Sequence, residues 1–222
     1  SGTSPVLQLT AVSANTTCTA TYTQGLAVIG SIVGVNGNVS AASTSPGAVC
    51  AAGGCTIGPG ATVTLTAPNM EGYRFVGWSG DPECTGVALV LTLSNVTHSI
   101  SCSAGYVQRF TVSAMTTGGV TVPVKVTSTD ANATCAGSTC TVDARGRVAL
   151  EAQAATGFRF SGWGGGCTGS DNPLLLTNIG ADRTCTAAYV KRVTVSGTVT
   201  GGPTAPVVAL STDTAATCAG AT

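Results

Sequence analysis

Ten cysteines are the residues of this 222-residue chain best equipped to do chemistry. Two spacings account for most of them, and each spacing occurs twice. Cys50 and Cys55 recur as Cys135 and Cys140; Cys84 and Cys102 recur as Cys167 and Cys185. Thiols so arranged can oxidise in pairs or, four to a unit, hold a structural zinc. The wide second spacing and the extracellular type of composition argue for disulfides kept within each repeat: Cys50–Cys55, Cys84–Cys102, Cys135–Cys140 and Cys167–Cys185. A bridge of the longer kind contributes about 3 kcal/mol, the shorter kind somewhat less. A module with one small aromatic cluster needs such staples.

Other chemistry-bearing residues carry weaker signals. His98 is the sole histidine and has no counterpart in the other units, so it reads as a solvated loop residue. Asp81, Glu83, Asp171 and Asp182 could build a calcium site on turns, but no EF-hand or RTX spacing appears, and solvated turn carboxylates are the plainer reading. The glycine-rich turns lack the lysine and following helix of a phosphate-binding loop. No nucleophile, acid–base pair or metal cluster recurs, so neither an enzyme nor a cofactor is expected. Asn15, Asn38, Asn95 and Asn132 lie in N-x-S/T sequons, which makes glycans a possible class of attachment or partner.

The element that must position the cysteines is a short aromatic strand. Gly72-Tyr73-Arg74-Phe75-Val76-Gly77-Trp78-Ser79-Gly80 closes on Cys84-Thr85-Gly86, and 85 residues later it returns as Gly157-Phe158-Arg159-Phe160-Ser161-Gly162-Trp163-Gly164-Gly165, closing on Cys167-Thr168-Gly169. Rings at alternate positions share one face of a strand. The chain has only two Trp, four Tyr and four Phe. Tyr73, Phe75 and Trp78, and likewise Phe158, Phe160 and Trp163, are therefore expected to fill the cores. The competing reading makes Trp78 and Trp163 exposed sugar-stacking platforms of a carbohydrate-binding module.

Composition bounds the rest. Charged residues make up 8 % and the net charge is zero, which argues against nucleic acid and anionic membrane surfaces as partners. So little charge does not discourage self-association. β-Branched residues in short runs punctuated by glycine predict an all-β protein. Cysteines at repeating spacings predict an oxidising compartment, hence an extracellular or cell-surface location. The most apolar run, residues 25–35, is too short to span a bilayer, so no membrane insertion is expected.

The internal offset divides the chain into a tandem array of small disulfide-stapled β modules, two complete and one partial at each end. Residues 1–24 read as the C-terminal part of a repeat, 25–108 and 109–191 as complete repeats, and 192–222 as the N-terminal part of another. Leu9 through Tyr22 matches Leu176 through Tyr189 without a gap; Leu93 through Tyr106 matches with an apparent one-residue shift. Strands are expected at 110–114, 120–127, 148–154, 158–163, 174–177 and 184–190, with Pro123 marking an edge or a bulge. Strands are also expected in 7–24 and 192–202. Cys18 aligns with Cys185 and Cys218 with Cys135, so their usual mates would fall just before Ser1 and just after Thr222. Each is expected to pair beyond this stretch of chain or across a subunit joint.

These motifs resemble the divergent internalin-B-type repeats of bacterial surface proteins: G-[YF]-x-F-x-G-W-x-G, a C-T-G-like turn, and a closing C-x-A-x-[YF] strand. Both full units carry the whole pattern. The resemblance implies a small β-rich module, often compared with a β-grasp, strung in extracellular arrays. The preferred functional reading is thus a structural protein, the building unit of a surface fibre, whose partners are copies of itself head to tail or further repeats of the same chain. The alternatives are the stalk of a large adhesin and the carbohydrate-binding module.

Overall fold

The computed structural model describes residues 6–20, 22–197, 200–202, 208 and 210–212. Fifteen strands and no helix occupy them: β1 Leu26–Val33, β2 Ser40–Ala42, β3 Val49–Ala51, β4 Gly54–Ile57, β5 Ala61–Thr66, β6 Tyr73–Gly80, β7 Val90–Val96, β8 Ile100–Thr117, β9 Val124–Thr127, β10 Thr134–Ala136, β11 Thr139–Asp143, β12 Val148–Ala152, β13 Phe158–Gly165, β14 Leu174–Leu176 and β15 Arg183–Lys191. The protein is all-β, and among the described residues no helix is long and apolar enough to cross a membrane.

The chain falls into two compact units, Ser1–Glu71 with Phe75–Tyr106, and Gly72–Arg74 with Val107–Thr222. In the first, β3, β4, β1, the N-terminal half of β8, and β6 form one sheet, and β2, β5 and β7 a smaller one. In the second, β10, β11, the C-terminal half of β8, β15 and β13 repeat the first sheet, and β9, β12 and β14 the second. β5 shows why these segments are strands. Ala61, Val63 and Leu65 point into the core while Thr62, Thr64 and Thr66 point outward, the period of two that a half-buried strand demands. Val112, Cys140, Val142 and Cys185 from the larger sheet of the second unit join Val124, Val126, Val148 and Leu150 from the smaller in one buried cluster.

Within each unit the first and last strands lie side by side and parallel. Val28–Val33 of β1 pair with Ile100–Gly105, and Val112–Thr117 of β8 pair with Arg183–Ala188. β8 is therefore the last strand of one unit and the first of the next. Its inward positions, Ile100, Cys102, Ala104 and Tyr106 and then Val112 and Ala114, keep even parity throughout. The strand runs on through residues 108–109, where the repeat restarts, although Gln108 is exposed at an even position.

Several strand expectations need correction. Residues 120–123 are not strand; β9 starts immediately after Pro123, which has no N–H for a ladder, and lies at the edge of its sheet. No residue is shifted between Leu93 and Cys102: nine positions separate them, as they separate Leu176 from Cys185. No strand forms among the described residues of 7–24 or 192–202, despite their β-branched composition. A strand is defined by its ladder, and these segments have none.

Candidate functional site

Each unit centres on a tryptophan delivered by a kinked strand. In β13 the ladder to β15 shifts between Phe160 and Gly162, so Ser161 is bulged out. Gly162 has φ 144° and Gly77, its counterpart in β6, φ 135°; a Cβ on Gly77 would stand 2.9 Å from the Gly86 carbonyl oxygen. Only glycine takes this conformation at that approach. The bend turns the next residue inward, and Trp78 and Trp163 are each only 7 % exposed. Their backbone N–H groups donate to the carbonyls of Gly86 (2.9 Å) and Gly169 (2.8 Å). The indole Nε1–H groups donate to Ala88 O at 2.9 Å and Asp171 O at 2.8 Å, so their polar edges are satisfied inside the protein.

Phe75 meets Trp78 edge-on at 5.9 Å, and Phe160 meets Trp163 at 5.2 Å. Tyr73, Phe75, Phe158 and Phe160 are half-buried. Each cluster has a further member that sequence reasoning did not count as core. Tyr106 packs on Phe75 at 5.5 Å and Tyr189 on Phe160 at 5.9 Å, and their hydroxyls donate to Pro68 O and Gln153 O. Burial pushes both phenols above their ordinary pKa. The signal was present in the closing C-x-A-x-Y motif, where tyrosine stands two places beyond the buried alanine. With both indoles enclosed, neither tryptophan offers a face for a sugar ring.

Disulfides join Cys50 to Cys55, Cys84 to Cys102, Cys135 to Cys140 and Cys167 to Cys185. They form two classes by access. Cys84, Cys102, Cys167 and Cys185 are buried, whereas the hairpin bridges each expose one cysteine, Cys50 and Cys135, on the edge strands β3 and β10. Thiol exchange needs access to a sulfur. Brief treatment with a small thiol followed by alkylation should therefore label Cys50, Cys55, Cys135 and Cys140 well before the other four. Peptide mass spectrometry showing equal labelling of both classes would contradict this. Cys18 is a free, exposed thiol among the described residues, and Cys218 lies outside them.

Two of the four turn carboxylates hold backbone as well as meeting solvent. Asp81 accepts the N–H of Ser101 and Asp182 that of Thr111, each at 2.7 Å. Glu83 stands 3.4 Å from His98 in an exposed pair. Among the described residues no three His, Cys, Asp or Glu side chains gather as metal ligands. Asn15, Asn38, Asn95 and Asn132 are all exposed. A shallow depression lined by Asp130, Asn132, Asp143 and Arg145 has its carboxylates engaged: Asp130 accepts from Arg147 N at 2.6 Å, and Asp143 pairs with Arg74 at 2.5 Å. That hydrogen bond, more than the charge, raises the Arg74 pKa above its ordinary value.

What the geometry leaves open is the end segments. Arg192 N–H donates to Gly157 O at 2.7 Å as Arg109 N–H donates to Gly72 O at 2.8 Å, so residues 192–197 set out as a first strand does. Val195, at the position of the fully buried Val112, is 85 % exposed, and Tyr22, at the position of Tyr106 and Tyr189, is 89 % exposed. Ala11 has φ 55°, the left-handed turn that Asn95 (φ 52°) and Asn178 (φ 55°) make at the same repeat position. Core residues of a module stand uncovered at both places.

No curated protein matches the chain. The family model described as the divergent InlB B-repeat domain matches residues 37–110 and again 109–193. Two tandem copies thus account for most of the sequence, and the chain belongs to the divergent InlB B-repeat family.

Proposed function

We propose that this bacterial-type surface repeat protein serves outside the cell as the building unit of a fibre, with a structural rather than catalytic role. Its units join end to end through completion of split β modules. One observation carries the reading: residue types that fill the first and last strands of both units recur, uncovered, at Val193 and Val195 and at Leu9, Val12 and Tyr22. Contacts between two different surfaces of one chain propagate head to tail and yield open filaments unless they close a ring. The four disulfides fit an oxidising exterior.

The stalk of a large adhesin is the second reading, favoured by the tandem order of the repeats. It places the same joint within one polypeptide instead of between copies. Purified protein should show species that grow with concentration in sedimentation velocity and end-to-end strings in negative-stain micrographs. Monodisperse monomers at all concentrations would exclude the fibre and favour the stalk.

A further inference from the structure

We infer that residues 193–197 of one copy pair in parallel with residues 14–18 of a second copy, with Asn15 capping Thr194 and Thr17 facing Ser196. The inference rests on the end-to-end reading and adds to it the register of the joint.

The two parallel pairs inside the chain obey a common rule. Ala27 N–H donates to Ser99 Oγ at 3.1 Å, and Thr111 N–H donates to Asp182 Oδ1 at 2.7 Å. Ser99 and Asp182 each lie three residues before the cysteine of the last strand, Cys102 or Cys185. One place further along, Val28 stands beside Ile100 and Val112 beside Arg183; two further still, Gly30 stands beside Cys102 and Ala114 beside Cys185. On the outer face a hydroxyl pair bridges the strands next to the cysteine, one place past it in the first unit (Ser31 Oγ to Ser103 Oγ, 3.0 Å) and one place before it in the second (Ser113 Oγ to Thr184 Oγ1, 3.1 Å).

The end segments carry every part of this rule. Arg192-Val193-Thr194-Val195-Ser196 repeats Arg109-Phe110-Thr111-Val112-Ser113, so Thr194 holds the N–H to be capped. Three residues before Cys18 is Asn15, whose Oδ1 is an acceptor as Ser99 Oγ and Asp182 Oδ1 are. The register then sets Val195 beside Thr16, Ser196 beside Thr17 and Gly197 beside Cys18. It turns Val195, Cys18 and Ala20 to the inner face, where Val112, Cys185 and Ala187 are fully buried. Tyr22 follows Cys18 at the spacing of Tyr106 after Cys102, and Gly25 enters β1 where Arg109 continues β8. Segment 14–22 thus leads into its own unit as the first half of β8 leads into the second.

The test is oxidative trapping in a Cys18→Ala, Cys218→Ala background. Thr17→Cys with Ser196→Cys should give a ladder of covalent oligomers on non-reducing gels. Thr19→Cys with Ser196→Cys, on the same face but one pair out of register, should give at least tenfold less. Uncrosslinked Asn15→Asp should assemble as the native chain does, and Asn15→Ala should assemble about tenfold more weakly, the scale of one hydrogen bond. Assembly without the Thr17–Ser196 crosslink, or with equal crosslinking at position 19, would overturn the register and leave the end-to-end reading standing. Crosslinks confined to single chains, or no assembly at all, would overturn both.

Discussion

Trp163→Ala is expected to destabilise the second unit by about 3–5 kcal/mol, the usual cost of emptying an aromatic core site. The ring is enclosed, meets Phe160 edge-on at 5.2 Å and donates its indole N–H to Asp171 O at 2.8 Å. Alanine removes the largest side chain of the cluster and leaves that carbonyl without its partner. Whole domains commonly have only about 5–15 kcal/mol of stability, so the loss is a large fraction of the total. Urea unfolding followed by far-UV circular dichroism reads the effect, since Trp78 remains as a fluorophore of the first unit. Trp163→Phe should recover part of the packing but not the hydrogen bond. A shift below 1 kcal/mol for the alanine variant, or free quenching of both native indoles by acrylamide, would show the rings to be exposed and revive the sugar-binding alternative.

The second large effect is expected from the Cys167–Cys185 bridge. Its 18-residue separation places the loss near 3 kcal/mol by the chain-entropy estimate. Cys185 is also the third residue of β15, beside Ala114, and fully buried. Replacing both cysteines by serine therefore adds the burial of two hydroxyls to the lost cross-link. The double alanine variant separates the terms: it should lie between the native protein and the double serine variant. An unfolding midpoint unchanged by full reduction of the native protein would refute the idea that these bridges carry the stability.

What was legible in the sequence was what recurs with the same residue type. Tryptophan after glycine, and cysteines at matched spacings, identify themselves because each needs one chemistry at one place. The caps on the first strands were hidden for the opposite reason. Ser99 and Asp182 do one job with two different side chains, since any short acceptor suffices. The continuity of β8 was also hidden: the polar residues Gln108 and Arg109 mark where the repeat restarts, but a polar pair does not stop a strand that has a ladder on either side. The end segments erred the other way. Their β-branched composition favours strands, yet propensity without a ladder forms none. Tyr106 and Tyr189 show a subtler miss: residues assigned to a closing strand also complete the aromatic cluster.

The parallel neighbourhood of first and last strands also sets how a unit responds to tension. Chain enters a unit through β1 and leaves through β8, or enters through β8 and leaves through β15, and in each case six consecutive residues of the two strands are paired. A pull applied at entry and exit drags two parallel neighbours in opposite directions along their length. The ladder is then loaded in shear, and its hydrogen bonds resist together instead of opening one after another as in a peeled hairpin. Once the ladder yields, Cys84–Cys102 and Cys167–Cys185 keep the residues they enclose from paying out. A unit built this way is a stiff link with a short, capped extension, and reduction of the bridge would lengthen the extension without softening the link.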